Sequence, residues 1–470
     1  MSSSLAPAAA PVPADERLLS RSRLPLVVGA LALVTLGALE NRAVATVLPT
    51  VLGELHEVQA FGLVSAAPLA TYLVALAAAG WWSDRSGPSP TLRAGVLTFA
   101  AAQLLVGLAP TLPVVVAGRL LSGFAEGLLD VGVIVLVARA LDERFRPQMM
   151  ALFAGAWILP SVLGPMVVGL VTVAFGWRWV FLGAVVVLPP VWLVLRPALR
   201  LASSPAGPAS AGATAGDDVP LRVVLPWALL AAAALVALNV AGEQASSAPR
   251  LAVVAVLVAT AALAVSARRL LPRGTLRAAC GIGGVVALRS AVTAAFMGIG
   301  GFLPLMLATL HHLGPAAAGI SLSITGVMWS LGSALQSRLA ARPGLVLHTG
   351  FAALAGGLAV SALLVWTDLP VVLGLAGWAV AGLGIGMTTS TLSVLTLAVS
   401  DDASQGRNNA GAQMASGMSG AVFFALAGAV LAVAGPDRAA FRLITAAAVA
   451  VAVLGLVGAR RALCAVPCPA

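Results

Sequence analysis

The feature that most constrains the fold of this sequence is a series of apolar segments, each long enough to cross a bilayer. A membrane helix needs about 20 such residues, because each residue advances the helix by about 1.5 Å. Six segments precede residue 200 and six more lie between residues 281 and 459, with two shorter ones near 222–242 and 250–267. The pattern predicts an all-α membrane protein with fourteen spans, of which the middle two form a hairpin.

Composition excludes a water-soluble protein. Of the 470 residues, 60% are hydrophobic and 9% are charged, and the mean hydropathy is +1.02. All 27 basic residues are arginine, so the chain has neither the lysine of a phosphate-binding P-loop nor a lysine that could form a Schiff base. The cysteines, Cys280, Cys464 and Cys468, are not spaced as a metal site or a disulfide framework. We therefore expect no metal or cofactor, and an ion gradient as the energy source.

The arginines predict the orientation in the membrane. With the N-terminus inside, 20 of the 27 arginines fall in cytoplasmic segments and four in external ones, as the positive-inside rule requires. Both termini are then cytoplasmic, and the lack of lysine is typical of a GC-rich genome, which favours a bacterial inner (cell) membrane. Because the arginines are spread over many loops, no nucleic-acid partner is expected.

The same segments divide the chain into domains. The predicted parts are a cytoplasmic tail at 1–25, a six-helix bundle at 26–200, a cytoplasmic linker at 201–221, a two-helix membrane hairpin at 222–268, a second six-helix bundle at 279–460 and a cytoplasmic tail at 461–470.

Two carboxylates lie inside the fourth apolar segment. Glu126 and Asp130 are one helical turn apart, and Arg119 lies on the same stripe. A charge at the bilayer centre costs from about 2.5 to more than 10 kcal/mol, so such residues usually face a wet cavity or a partner. Glu126 is expected near the membrane centre and Asp130 about 6 Å nearer the cytoplasm. We predict a functional site, with a structural ion pair as the alternative.

The loop after the second segment carries a pattern that suits a turn against another helix. It reads GWWSDRSG from Gly80 to Gly87. The glycines permit a tight turn, and Asp84 can cap a neighbouring helix while Arg85 pairs nearby. The pattern resembles the G-x-L-a-D-r-x-G signature of the major facilitator superfamily, which implies that Gly80, Asp84, Arg85 and Gly87 latch the two halves of the protein on the cytoplasmic side. An ordinary turn is the alternative.

The fourth segment also carries a spaced arginine and glycine pair. Arg119, Gly123 and Gly127 follow one another at intervals of four residues, which is similar to the R-x₃-G pattern of the same superfamily. Small residues at this spacing also mark plain helix packing.

The fifth segment resembles the G-x₃-G-P-x₂-G-G motif of antiporters in this superfamily. The match begins at Pro160, which replaces the first glycine, and includes Gly164, Pro165 and Gly169, whereas Val168 replaces another glycine. Gly164, Pro165 and Gly169 are expected to kink the helix and to allow close packing. A kinked helix without this role is the alternative.

The first segment resembles the A-L-D-x-T-x-V-x-x-A-L-P signature of the fourteen-span drug:proton antiporters. Glu40 takes the place of the embedded aspartate, and Arg42 stands where the family has a small or polar residue. The resemblance implies two six-helix bundles around a chamber that Glu40, Arg42, Arg119 and Glu126 line, with Arg289 approaching from the second half. A cation at Arg42 suggests an internal partner or an anionic substrate group.

These features predict a secondary active transporter and not an enzyme. The favoured function is proton-coupled export of lipophilic or amphipathic small molecules by a monomer, with Glu40 and Glu126 carrying protons. Asp130, nearer the cytoplasm, is expected to meet Arg85 and to couple protonation to the latch. An importer or lipid or metabolite carrier of the same fold, and a non-transporting membrane sensor, remain open.

Overall fold

The computed structural model describes residues 18–57, 61–202, 220–243, 249–313, 315–401, 404–435 and 437–463. Within these ranges, all the α-helices and 3₁₀ turns agree with the predicted all-α class, and no strand is found. Most of each predicted tail, at 1–25 and 461–470, and most of the predicted linker at 201–221 lie outside the described residues. The helices are α1 (Leu24–Glu54), α2 (Phe61–Ser86), α3 (Pro88–Gly107), α4 (Leu112–Ala140), α5 (Arg146–Ala156), α6 (Ile158–Phe175), α7 (Arg178–Ala202), α8 (Leu221–Glu243), α9 (Pro249–Leu270), α10 (Ile282–Gly300), α11 (Leu303–His311), α12 (Pro315–Arg338), α13 (Pro343–Ser361), α14 (Val371–Ala398), α15 (Gln405–Ala434) and α16 (Arg438–Leu463).

Two predicted spans are each divided into two helices. α5 ends at Ala156, four residues before Pro160, and α10 ends at Gly300, four residues before Pro304. A proline has no N–H for the carbonyl four residues earlier, and its ring collides with that carbonyl. The same local rule therefore explains both breaks.

The helices form two bundles, each with its own apolar core. In the first, α4 packs against α2 and α3, and α1 packs against α6 and α7. In the second, α14 packs against α12 and α13, and α10 packs against α15 and α16. Large side chains such as Leu136 in the first core and Phe351 and Trp378 in the second are almost completely buried.

The α8–α9 hairpin bridges the two bundles. The two helices pack on each other, and α8 also packs against α2 while both contact α15. Leu235 of α8 and Leu263 of α9 share one buried cluster with Leu73 of α2 and Met414 of α15. The hairpin is therefore a packed part of the structure.

Eleven of the described helical segments are long and apolar enough to cross a membrane, so the chain is a multi-pass membrane protein. One of them, Ile282–His311, contains both α10 and α11. The remaining predicted spans correspond to α2, to α5 with α6, and to α12. The count of fourteen remains a prediction.

The end of α2 and the start of α15 lie on one side of the structure, which we call the arginine-rich side. Gly80 lies directly against Gly406 there, and Arg139, at the end of α4, donates a 3.3 Å hydrogen bond to the carbonyl of Ser83. The start of α7 and the end of α1 lie on the opposite side, where Arg178 contacts Glu54.

Cys280, which precedes α10, corrects one sequence expectation. It is disulfide-bonded. The spacing of the cysteines in the sequence does not show this, because a disulfide requires two cysteines that the fold brings together.

Candidate functional site

Glu40 of α1 and Arg119 of α4 form a buried ion pair. Both residues are less than 10% exposed, and the Nη1 atom of Arg119 donates to Oε1 of Glu40. The same nitrogen donates a 3.2 Å hydrogen bond to the hydroxyl of Ser122. Removing either charge would leave the other one buried without its counter-ion.

Glu126 lies against α1 as well, but its partner is neutral. Asn41 donates a hydrogen bond from Nδ2 to Oε1 of Glu126 at 2.9 Å, and Nδ2 also donates to the carbonyl of Gly37. Asn41 was not singled out from the sequence, although a polar residue beside Glu40 in an apolar run is itself a signal. The side chain of Arg42, the other predicted residue on this helix, lies outside the described residues.

Asp130 contacts α2, where Tyr72 donates a 2.7 Å hydrogen bond to Oδ2. The prediction that Asp130 contacts Arg85 is wrong, and the register between α2 and α4 gives the reason. Gly123 lies against Pro68 and Gly127 against Tyr72, so α4 is offset from α2 by 55 residues. Arg85 is thus level with Ala140, about 15 Å beyond Asp130.

The stripe on α4 therefore has two sides. Arg119 and Glu126 contact α1, whereas Gly123 and Gly127 face α2. A Cβ atom on Gly123 would collide with the carbonyl of Pro68, and one on Gly127 would lie 2.8 Å from the carbonyl oxygen of Tyr72. Close packing of α2 on α4 brings Tyr72 and Asp130 together.

Arg289 of α10 is held by polar groups of the second bundle. Its guanidinium donates hydrogen bonds to Ser416 (3.2 Å), Ser393 (2.8 Å) and Oε1 of Gln413 (2.6 Å). Across the two bundles, Arg289 attracts Asp130 electrostatically. The structure thus brings Arg289 near Asp130, while Glu40 and Arg119 form an ion pair with each other.

Asp84 joins the two bundles on the arginine-rich side. Its carboxylate accepts hydrogen bonds from the backbone N–H of Gly406 (2.6 Å) and Arg407 (2.9 Å), in the first turn of α15. These N–H groups have no acceptor within their own helix, so Asp84 caps a helix of the other bundle. Burial raises the pKa of Asp84, which lies beyond the apolar part of α2, to about 6, although both N–H donors oppose the shift.

The other residues of this loop support the same contact. A Cβ on Gly80 would lie 3.0 Å from the carbonyl oxygen of Gly406, so the two helices touch there. Gly87 has a φ of 79°, a conformation that glycine adopts readily. The guanidinium of Arg85 lies 4.6 Å from the ring centre of Trp81.

A second contact between the bundles joins α5 to α12. The hydroxyl of Ser330 donates a 3.0 Å hydrogen bond to the carbonyl of Ala154. Ala154 belongs to the short helix that begins on the arginine-rich side, so this contact and that of Asp84 both hold the bundles together towards that side.

The antiporter-like segment is kinked, but at a different place from the one expected. The helix is interrupted at Trp157, before Pro160, and continues through Gly164 and Gly169. The side chain of Pro165 lies outside the described residues. A Cβ on Gly169 would meet no atom within 4 Å, which means that α6 has open space there. The prediction of close packing at this glycine is therefore wrong.

The opposite side carries a clasp within the first bundle. Glu54, beyond the end of the first apolar span, accepts a 2.7 Å hydrogen bond from Arg178 and a 2.6 Å hydrogen bond from the indole of Trp177. These two donors lower the pKa of Glu54. In the described part of the chain, no group of three or more His, Cys, Asp or Glu residues could hold a metal ion.

Several known proteins are similar to this chain in sequence. A probable multidrug-efflux transporter of Mycobacterium tuberculosis (strain ATCC 25618 / H37Rv) is 29% identical over 451 residues, which cover 91% of this chain and 92% of that protein. Multidrug resistance protein 3 of Bacillus subtilis (strain 168) is 26% identical over 156 residues, 33% of this chain and 30% of that protein.

Two solved structures agree with the fold at 15% identity each. The human organic anion transporter MFSD10 superimposes with a TM-score of 0.66, and the match covers 93% of this chain and 99% of the MFSD10 chain. The proton:xylose symporter XylE superimposes with a TM-score of 0.64, and the match covers 92% of this chain and 94% of the XylE chain. Residues 30–423 match the sequence profile of the Major Facilitator Superfamily. This chain is therefore a membrane transporter that belongs to the Major Facilitator Superfamily.

Proposed function

We propose that this transporter exports lipophilic or amphipathic small molecules, such as drugs, in exchange for protons and by alternating access. The observation that carries the proposal is that, among the described side chains in the middle of the spans of the first bundle, carboxylates outnumber arginines. Glu40 is paired with Arg119, whereas the direct partners of Glu126 and Asp130 are the neutral Asn41 and Tyr72. A proton can neutralise each of these carboxylates, and ionisable groups in membrane spans mark ion pathways.

The names of the relatives support the direction and the substrate class. The mycobacterial protein that aligns with 91% of this chain is named a probable multidrug-efflux transporter. Lipophilic substrates also suit a chain whose spans offer few charged groups. We therefore favour efflux of apolar or amphipathic compounds.

The contacts between the bundles support a cycle in which one side closes at a time. The contact of Asp84 with α15 and the contact of Ser330 with α5 close the arginine-rich side. From the positive-inside rule we propose that this side is cytoplasmic and that both termini lie in the cytoplasm of a bacterial cell. In this state, the carboxylates would take up protons from outside, and opening of the Asp84 contact would release them inside.

Glu126 and Asp130, whose hydrogen-bond donors among the described residues are neutral, have separate roles in this cycle. Glu126, with Glu40, exchanges protons and competes with substrate for the chamber between α1 and α4. Asp130 accepts a hydrogen bond from Tyr72 of α2, and Arg289 of the other bundle attracts it. A change in the charge of Asp130 would therefore affect both bundles. We propose that a monomer of fourteen spans performs the whole cycle.

Proteoliposomes that contain a pH-sensitive dye test the coupling. Addition of a lipophilic cation should release protons from wild-type vesicles, and Glu126→Gln should abolish this release. Asp368→Asn is the matched control, because it neutralises an exposed carboxylate between α13 and α14. Full proton-driven transport by Glu126→Gln and Glu40→Gln would refute the proposal.

Arg289 favours a second candidate, a carrier of anionic metabolites or lipids. Its three hydrogen-bond partners are neutral, so an anionic substrate could compete with Asp130 for the charge of the guanidinium. Transport assays with opposed pH gradients distinguish the candidates. Export should be driven by an inward proton gradient, whereas an importer of an anion would accumulate it under the same gradient.

A further inference from the structure

The loop between α9 and α10 forms a pocket on the arginine-rich side, away from the carboxylates of the spans. The pocket has a volume of about 190 Å³, and its lining includes three arginines, Arg268, Arg273 and Arg277, with Thr275 and Leu276. Since one water takes up about 30 Å³ in the liquid, this space is large enough for a phosphate group. None of the described residues that line it is a carboxylate.

The loop is firmly seated against the second bundle. A Cβ on Gly283 of α10 would lie 2.9 Å from the carbonyl oxygen of Arg273, and one on Gly411 of α15 would lie 2.7 Å from Pro272. The hydroxyl of Thr275 donates a 2.7 Å hydrogen bond to the carbonyl of Pro272. The packed backbone therefore fixes the positions from which the arginines extend.

Among the described residues, no group neutralises the charges of two of these arginines. In the ranges that the structure describes, neither Arg268 nor Arg277 makes an ion pair or a side-chain hydrogen bond, and both are exposed. By contrast, the neighbouring Arg269 lies 5.7 Å from the ring centre of Trp227. The pocket thus presents at least two cations to a ligand from outside the chain.

An apolar track on α9 leads to the pocket. Leu251, Val254, Val258 and Val265 are 73%, 56%, 65% and 45% exposed, respectively, and they follow one another at helical intervals. Arg268 comes three residues after Val265, on the same face. Leu276, beside the arginines in the pocket, is 63% exposed. An acyl chain along the track would place its head group at Arg268.

We propose that the α9–α10 loop is a specific binding site for an anionic phospholipid, with the phosphate between Arg268 and Arg277 and an acyl chain along the exposed face of α9. A free phosphate would use the same arginines, but it would leave the apolar track and Leu276 without a function. The site does not depend on the transported substrate or on proton coupling.

Native mass spectrometry of the full-length protein, titrated with dioleoyl phosphatidylglycerol or dioleoyl phosphatidylcholine, tests this assignment. The wild type should bind the first phosphatidylglycerol more tightly than phosphatidylcholine. Arg268→Gln with Arg277→Gln should weaken that binding by roughly fivefold for each arginine, the effect of one cation near an anionic surface. Leu276→Asn should weaken it without changing the charge.

The matched control removes two exposed arginines from another loop on the same side. Arg338→Gln with Arg342→Gln, at the α12–α13 loop, should leave the first binding step unchanged. Equal loss in both double variants, or equal binding of both lipids by the wild type, would overturn the proposal. Displacement of the lipid by inorganic phosphate at the same concentration would overturn it in favour of a free anion. If the glutamine variant does not fold, Arg277→Gln alone, with its melting temperature checked, provides the same comparison.

Discussion

Tyr72, the only tyrosine in the chain, donates a hydrogen bond to the carboxylate of Asp130 at 2.7 Å. The contact joins α2 to α4 inside the first bundle. Asp84 lies twelve residues further along α2, about 18 Å away. The coupling that we propose between Asp130 and the Asp84 contact would therefore run along α2 itself, without the direct contact to Arg85 that the sequence suggested.

The first prediction concerns this hydrogen bond. Tyr72→Phe keeps the ring but removes the donor, so it should lower the free energy of unfolding by roughly 1 to 3 kcal/mol, as expected for a hydrogen bond to a charged group. A double-mutant cycle with Asp130→Asn, followed by denaturant unfolding in detergent, should show coupling. Purely additive effects of the two substitutions would contradict the prediction.

The second prediction concerns the pH dependence of the contact between Asp84 and α15. The carboxyl has a pKa of about 6 in this contact, against about 3.9 when exposed, so the closed state binds more protons than the open one. The stabilisation of the closed state that comes from protonating Asp84 should therefore be complete below about pH 4 and should disappear as the pH rises through 6.

Distances between spin labels at Ser86 and Arg338, one in each bundle, can measure this closure. The closed fraction of the wild type should rise on acidification between about pH 7 and pH 4. Asp84→Asn, which carries no titratable proton, should lose this component and should be more closed at pH 7. An unchanged pH profile in Asp84→Asn would show that other groups control closure.

The third prediction concerns the buried ion pair of Glu40 with Arg119. Glu40→Gln leaves the guanidinium buried without its counter-ion, so it should cost about 3 kcal/mol of stability or more. The neutral double variant Glu40→Gln with Arg119→Gln should be less damaged than the single variant. As a control, Glu54→Gln removes an exposed ion pair and should cost less than about 1 kcal/mol. Thermal unfolding in detergent ranks the variants, and a double variant worse than both singles would contradict the argument.

The fourth prediction separates two glycines by their surroundings. Gly123→Ala should destabilise the protein by about 1 to 3 kcal/mol, because its methyl group would collide with the backbone of Pro68. Gly169→Ala introduces the same group into open space and should be neutral or slightly stabilising, since alanine favours a helix by about 0.5 to 1 kcal/mol. Comparable losses of melting temperature in both variants would indicate that helix contacts do not determine the effect.

The sequence predicted the class of the fold and the positions of its helices because both depend on local properties. The length of an apolar run determines whether it can span the membrane, and prolines determine where a helix breaks. The breaks before Pro160 and Pro304 follow from the same rule, although the sequence pattern placed the kink at Gly164 and Pro165. The embedded charges Glu40, Arg119, Glu126 and Asp130 are also visible in the sequence, because a charge in a span is rare whatever it contacts.

The partners of these charges were decided only by the tertiary structure. The 55-residue offset between α2 and α4 pairs Asp130 with Tyr72, and it arises from the close approach of Gly123 and Gly127 to α2. A charged residue at a given depth in the membrane has several neighbouring helices that could supply its partner. The packing of side chains between helices that are distant in sequence determines which of these helices it contacts. The sequence by itself therefore determined which groups lie in the membrane, whereas the packing of the helices determined which of them are paired, which are left with neutral partners, and which connect the two bundles.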